Sequence, residues 1–192
     1  MRIIKYFTIA FALLFSSLNI SMAQTTNSSE ADLLTKQLQT ESYSAQQLRT
    51  AAAPQVIKGK DENGDFEMTI TQTNLRSKKG AANITTVVFK QNGKSESHSI
   101  ADAGETVLKI ESGKVLKSAA KGRPARLAKC IASFVKGGGA GSCATCFNSI
   151  KGCSGSTWYG YIFCVGGKLA SNTCKPCVSS ASSLIKCLKN AW

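Results

Sequence analysis

Hydrophobic and polar positions change their period several times along the chain. Phe7 to Phe15 form a short apolar run after Arg2 and Lys5, and Ser21-Met22-Ala23 follows it. This is the layout of a secretory signal, so residues 1–23 are expected to be removed by cleavage between Ala23 and Gln24. The apolar run is shorter than the ~20 residues a membrane-spanning helix needs. Over 28–53, Leu33, Leu34, Leu38 and Leu48 are thinly spaced among polar residues, and Ala51-Ala52-Ala53 runs into Pro54. That spacing predicts a weakly amphipathic helical segment.

From residue 55 the period becomes two. Phe66, Met68 and Ile70 alternate with Glu67, Thr69 and Thr71, as one face of a strand does. Ile84 to Lys90 is rich in β-branched residues and reaches Asn92-Gly93, a strong hairpin signal, with Lys94 to Ile100 as the return strand. Thr106 to Ile110, Ser112-Gly113 and Lys114 to Leu116 predict another hairpin. The expectation is a small antiparallel meander over about 55–118.

Helical spacing returns after residue 126. Leu127, Cys130, Ile131, Phe134 and Val135 share one face, and Gly137-Gly138-Gly139 stops it. Cys143, Cys146, Phe147 and Ile150 repeat the pattern up to Gly152. Ser156 is placed to cap a third helix carrying Trp158, Tyr161, Ile162 and Val165. Cys177, Ala181, Leu184, Ile185, Leu188 and Trp192 mark a fourth, from about 176, with Lys186 and Lys189 expected on its opposite, solvent-facing side. The fold class predicted is α+β: a small antiparallel meander followed by a disulfide-cross-linked bundle of short α-helices.

Charge divides the chain at the same place. The whole sequence carries a formal +13. Residues 24–120 hold all 11 acids, 12 Lys/Arg and no cysteine, whereas 121–192 hold ten Lys/Arg, no acid and all eight cysteines. This gives a cysteine-free propeptide or companion domain (24–120) and a cationic helical domain (127–192). Between them, 121–126 read as a basic linker in which Arg123 and Arg126 offer a processing site; Pro124 equally suits the first turn of a helix.

The cysteines Cys130, Cys143, Cys146, Cys153, Cys164, Cys174, Cys177 and Cys187 are expected to form four disulfides, because the chain reads as exported and their number is even. Spacing does not choose among the 105 pairings eight cysteines allow. Cys143/Cys146 and Cys174/Cys177 also have the spacing of a four-thiolate zinc site or of redox pairs; export and the four further cysteines weigh against both, and no metal or other cofactor is expected. No catalytic residues are expected either. The acid-free part has no carboxylate side chain and no His for general acid–base work, and the lone His98, beside Ser95 and Glu96, reads as a solvent-facing strand residue.

A field of ten unopposed charges suits contact with anionic lipids or a cell envelope. The expected membrane contacts are Lys129, Lys136, Lys151, Lys168, Lys186 and Lys189, with Tyr159 and Trp192 as interfacial anchors. Nucleic acid is not an expected partner, since no binding motif is present and the chain reads as secreted. A cross-linked binding or protease-inhibitory module is the alternative, with Gly137 to Ser142 or Ser154 to Ser156 as its exposed loop.

The combination of signal, cysteine-free N-terminal part and cysteine-rich helical end resembles the precursors of halocin-like, cysteine-rich bacteriocins. CATCFNSIKGC (143–153), STWYGYIFCVGG (156–167) and CKPC (174–177) with the amphipathic run to Trp192 carry the resemblance. It implies a C-terminal part released as an antimicrobial toxin and an N-terminal part that associates with it as its immunity partner. This chain departs from the family in its fewer cysteines and its strongly basic toxin part. The spacing of Cys153 and Cys164 is also similar to the saposin-like fold, though the other spacings are not.

Overall fold

The computed structural model describes residues 27–41, 53–77, 80–112, 114–119 and 122–192. The expected signal, its cleavage site at Ala23 and Gln24, and most of the later half of the helix expected over 28–53 lie outside these residues.

The predicted meander is present as one six-stranded antiparallel sheet, with the strands in sequence order. They are β1 (Gln55–Asp61), β2 (Gly64–Ser77), β3 (Gly80–Gln91), β4 (Lys94–Ala103), β5 (Thr106–Glu111) and β6 (Lys114–Ala119). At the Asn92-Gly93 turn both residues have positive φ, 51° and 72°, as a two-residue hairpin of this kind requires.

Both faces of the sheet are covered, unevenly. Alternation sends Ile57, Phe66, Met68, Ile70, Val87, Phe89, Ile100 and Val107 into one core, and Leu75, Ala82, Ile84, Ala101, Leu108 and Ile110 into another. The second core is closed by Leu34 and Leu38 of helix α1 (Asn27–Thr40). The first is closed by the cysteine-rich part. This explains the apolar run at 84–90: Val87 and Phe89 point one way and Ile84 the other, and all are buried.

The cysteine-rich part contains α2 (Arg123–Phe134), α3 (Ala144–Lys151), α4 (Trp158–Leu169) and α5 (Ala181–Ala191), with short 3-10 turns between α2 and α3. Four disulfides tie them together. Cys130–Cys187 joins α2 to α5, and Cys153–Cys164 joins the α3–α4 connection to α4. Cys143–Cys177 and Cys146–Cys174 join the two CxxC segments to each other, and no cysteine is free. The thiolates a zinc or dithiol redox centre would use are thus taken up in S–S bonds.

Three boundaries differ from the sequence reading. Residues 123–126 are the first turn of α2, with Pro124 at its start, so the basic stretch is helix there and not extended linker. The cap of α4 is Thr157, whose hydroxyl accepts from the Gly160 amide at 3.3 Å; Ser156 lies one residue too early. The last helix begins at Ala181, capped by Ser180, whose hydroxyl accepts from Ser183 N at 3.2 Å. Residues 176–180 cannot continue it backwards, because Cys177 is cross-linked to Cys143 and Val178 bridges Val135.

Candidate functional site

An acid-free bundle cannot supply anions to its own helix N-termini, where unpaired amides and the helix dipole favour negative charge. Here the sheet supplies them. Asp61, at the end of β1, is 5% exposed. Its carboxylate accepts from the first amide of α5, Ala181 N, at 2.8 Å, and from Asn63 N and Gln91 Nε2 at 2.8 and 2.7 Å. Asp102, in β4, is 7% exposed. It accepts from the first amide of α4, Trp158 N, at 2.7 Å and from the Trp192 indole at 3.1 Å. Burial pushes the Asp102 carboxyl above its ordinary value, against the downward pull of the Trp158 and Trp192 donors and of Arg123.

The C-terminal end of α5 is matched in the opposite sense. Lys109 of β5 donates to Asn190 O, and Arg126 Nε donates to Ala191 O at 3.0 Å. Both are cations against terminal carbonyls, the favourable sign. Burial pulls the Lys109 ammonium below its usual range.

A third carboxylate comes from α1. β4 pairs with β5 only from Ile100 onwards, and Glu30 fills the gap beside the unpaired stretch. It accepts from Ser99 N at 2.8 Å and from Lys189 Nζ at 3.1 and 3.3 Å. The Lys189 side chain is only 5% exposed. Glu96 accepts from the Ser182 hydroxyl at 3.0 Å, Asn63 Nδ2 donates to Ser179 O at 3.0 Å, and Glu62 pairs with Lys136. Every acid in these contacts belongs to the cysteine-free part.

Apolar contact completes the seam. A Cβ on Gly166 of α4 would lie 2.0 Å from Met68 Cε and 2.8 Å from Ile57 Cδ1, so this glycine lets the helix sit directly on β1 and β2. Trp158, Tyr161 and Trp192 form one cluster, with ring centroids 5.1–6.0 Å apart and the Arg123 guanidinium 4.1 Å over Trp192. Burial pushes the Tyr161 hydroxyl up to about 12.

The expected membrane residues divide accordingly. Lys129, Lys136, Lys151, Lys168 and Lys186 are exposed. Tyr159 is half-buried and stacks on Phe163, which is 44% exposed. Trp192 and Lys189 are corrections: both are buried in the intact chain, Trp192 on Asp102 and Lys189 on Glu30. Lys189 therefore does not share the exposed face of Lys186. Arg123 and Arg126, the residues expected to offer a processing site, both lie in the first turn of α2, with Arg123 half-buried.

His98 is likewise buried, not solvent-facing, because α5 covers that face of β4. Its Nε2 is 3.7 Å from Glu96 and has no hydrogen-bond partner. Burial, then Lys189, lower its affinity for a proton, and Lys186 acts in the same direction; Glu30 and Glu96 act the other way. Ser95 is exposed.

Asp61, Asp102 and Glu30 were not singled out by sequence reasoning. A signal was present for two of them: Asp61 is in phase with Ile57, and Asp102 with Ile100, so each acid stands at a core-facing position. No helix among the described residues is long and apolar enough to cross a membrane. Comparison with protein-family models, curated proteins and solved structures finds no match.

Proposed function

We propose that this is an exported antimicrobial precursor of the halocin-like kind, in which residues 24–120 hold the cationic cysteine-rich part in a masked, inactive state. The observation that carries the reading is the seam itself. The acid-free part places its two Trp residues, its Lys189 and the N-termini of α4 and α5 against carboxylates and apolar positions of the sheet part. Four disulfides suit an oxidising compartment. They also allow a bundle of short helices to outlast separation from the sheet.

Once released, the bundle presents exposed Lys129, Lys136, Lys151, Lys168 and Lys186, together with the apolar face uncovered by the sheet. Anionic membrane lipid or cell envelope is the target, and the action is non-enzymatic. The electrostatic share of the encounter weakens as salt rises.

The test is a full chain with a specific protease site placed at residues 120–121, folded and oxidised before cutting. Dye leakage from anionic and zwitterionic vesicles, and growth inhibition, are measured for the intact chain and for the cysteine-rich part separated with its disulfides intact. The intact chain is expected to be silent and the separated part to leak anionic vesicles. An oxidised, separated part that neither leaks anionic vesicles nor inhibits any strain tested would sink this reading in favour of a binding or inhibitory module.

A further inference from the structure

A cleft of about 330 Å³ opens between α2 and the α3–α4 connection. Its apolar lining comes from Leu127 and Ile131 on one face of α2, with Tyr161 and Trp192. Two cations line it, Arg123 and Lys151, and no acid does. Lys151 is exposed. Arg123 stacks on Trp192, and its Nε is buried without a hydrogen-bond acceptor. An unanswered buried donor costs stability.

We propose that this cleft is a binding site for an anionic phospholipid, with the headgroup phosphate between Arg123 and Lys151 and the glycerol and first acyl carbons against Leu127, Ile131 and Trp192. Charge complementarity identifies the head, since a fork of N–H donors and an exposed ammonium, here 5.8 Å from the Phe147 ring centroid, suit a phosphate. The apolar lining identifies the rest of the ligand, because a free phosphate leaves Leu127, Ile131 and the rings unused. Every residue lining the cleft belongs to the cysteine-rich part, and Trp192 is held in it by Asp102 of the sheet. The site deepens the membrane reading above by naming where one lipid is held.

The experiment uses the intact oxidised chain, titrated with dihexanoylphosphatidylglycerol below its micelle concentration. Dihexanoylphosphatidylcholine and inorganic phosphate are titrated in parallel, with calorimetry and the Trp192 indole resonance as readouts. Phosphatidylglycerol is expected to bind and to shift that resonance, with the other two at least about tenfold weaker. The double substitution Arg123→Gln, Lys151→Gln is expected to weaken binding roughly tenfold or more, and Lys129→Gln, exposed on the same helix, to change it less than about twofold.

Ala128→Phe fills the cleft without touching either charge and should abolish binding. Lys151→Gln alone, at an exposed position, keeps a readout if the buried substitutions fail to fold. Absence of phosphatidylglycerol binding, equal binding of phosphatidylcholine or of phosphate, or indifference to Lys151→Gln would each overturn the site. Leakage of anionic vesicles by the separated part, with no phosphatidylglycerol binding in the titration, removes the lipid site and leaves the membrane reading standing. Lipid binding without any leakage or inhibition does the reverse.

Discussion

In the sheet part, six strands pair in sequence order without a cross-link. In the cysteine-rich part, helices of 8 to 12 residues are joined by four disulfides. The first satisfies its backbone through local hairpins and buries apolar residues on both faces. The second consists of helices too short to persist alone. Its helix ends are completed by its own Thr157 and Ser180 and, from across the seam, by Asp102, Asp61 and Lys109. The difference separates two kinds of stability. Oxidation holds the bundle together, and complementary charge with a shared apolar core holds it to the sheet.

The largest break in this comparison should come from the disulfides. Replacing Cys130 and Cys187 by Ala opens a 57-residue separation and is expected to cost about 4 kcal/mol in the chain-entropy model. Replacing Cys153 and Cys164, 11 residues apart, should cost about 3 kcal/mol. Urea unfolding followed by Trp fluorescence checks this, because both Trp residues, Trp158 and Trp192, lie in the cross-linked part. Equal losses on substituting the polar strand residues Thr69 or Thr71 would erase the distinction between the two parts.

Next comes Asp102→Ala, which strands the Trp158 amide and the Trp192 indole N–H in a buried site. An expected loss of about 2–4 kcal/mol follows from two unanswered donors. The same unfolding curves measure it, and a loss below about 0.5 kcal/mol would mean that the carboxylate is not what holds α4. Gly166→Val should follow at about 1–3 kcal/mol, since the new side chain drives into Met68 and Ile57 where the helix sits on the sheet. An unchanged unfolding midpoint would show that the seam gives way without cost.

The smallest effect concerns pH. His98 sits under α5 with its proton affinity lowered, chiefly by burial and then by Lys189. A base whose folded pKa is depressed binds fewer protons folded than unfolded. Its contribution is therefore complete above the unfolded value of 6.5 and is lost as pH falls below it. Asp102, with its pKa raised, works in the opposite sense, contributing more as pH falls. Comparing thermal midpoints of the native chain and His98→Phe between about pH 7.5 and pH 5 isolates the imidazole. The native chain should lose ground to the variant as the medium is acidified. Parallel curves would remove His98 from the seam's energetics.

Much of this architecture was legible in the sequence. Period-two alternation and Asn92-Gly93 locate the sheet, and cysteines on helical faces locate the bundle. The helix starts were misplaced by local rules: Ser156 and Pro176 are acceptable first residues in isolation, but Thr157 takes the cap of α4, and the disulfide at Cys177 with the bridge at Val178 holds 176–178 out of the last helix. Lys189, Trp192 and His98 were misread for one shared reason. Lys189 and His98 look solvent-facing on their own elements and Trp192 looks free to anchor in a membrane, yet each is covered by a distant element: Lys189 meets Glu30, Trp192 meets Asp102, and α5 covers His98. Pattern along a chain records which faces are apolar. It does not record that a carboxylate in phase with the core marks a second body docked on that face.

The central claim is that carboxylates of the sheet part hold the cysteine-rich part in place. Its most direct test is the dissociation constant of the two pieces after the oxidised chain is cut at residues 120–121, measured for the native sequence and for the Asp61→Ala, Asp102→Ala, Glu30→Ala triple variant. The native pieces should co-elute at about 1 μM protein, and the triple variant should separate there, a loss of at least about a hundredfold in affinity. A triple variant that stays associated as tightly as the native pair, with its disulfides intact, would contradict the claim and leave apolar contact alone as what joins the two parts.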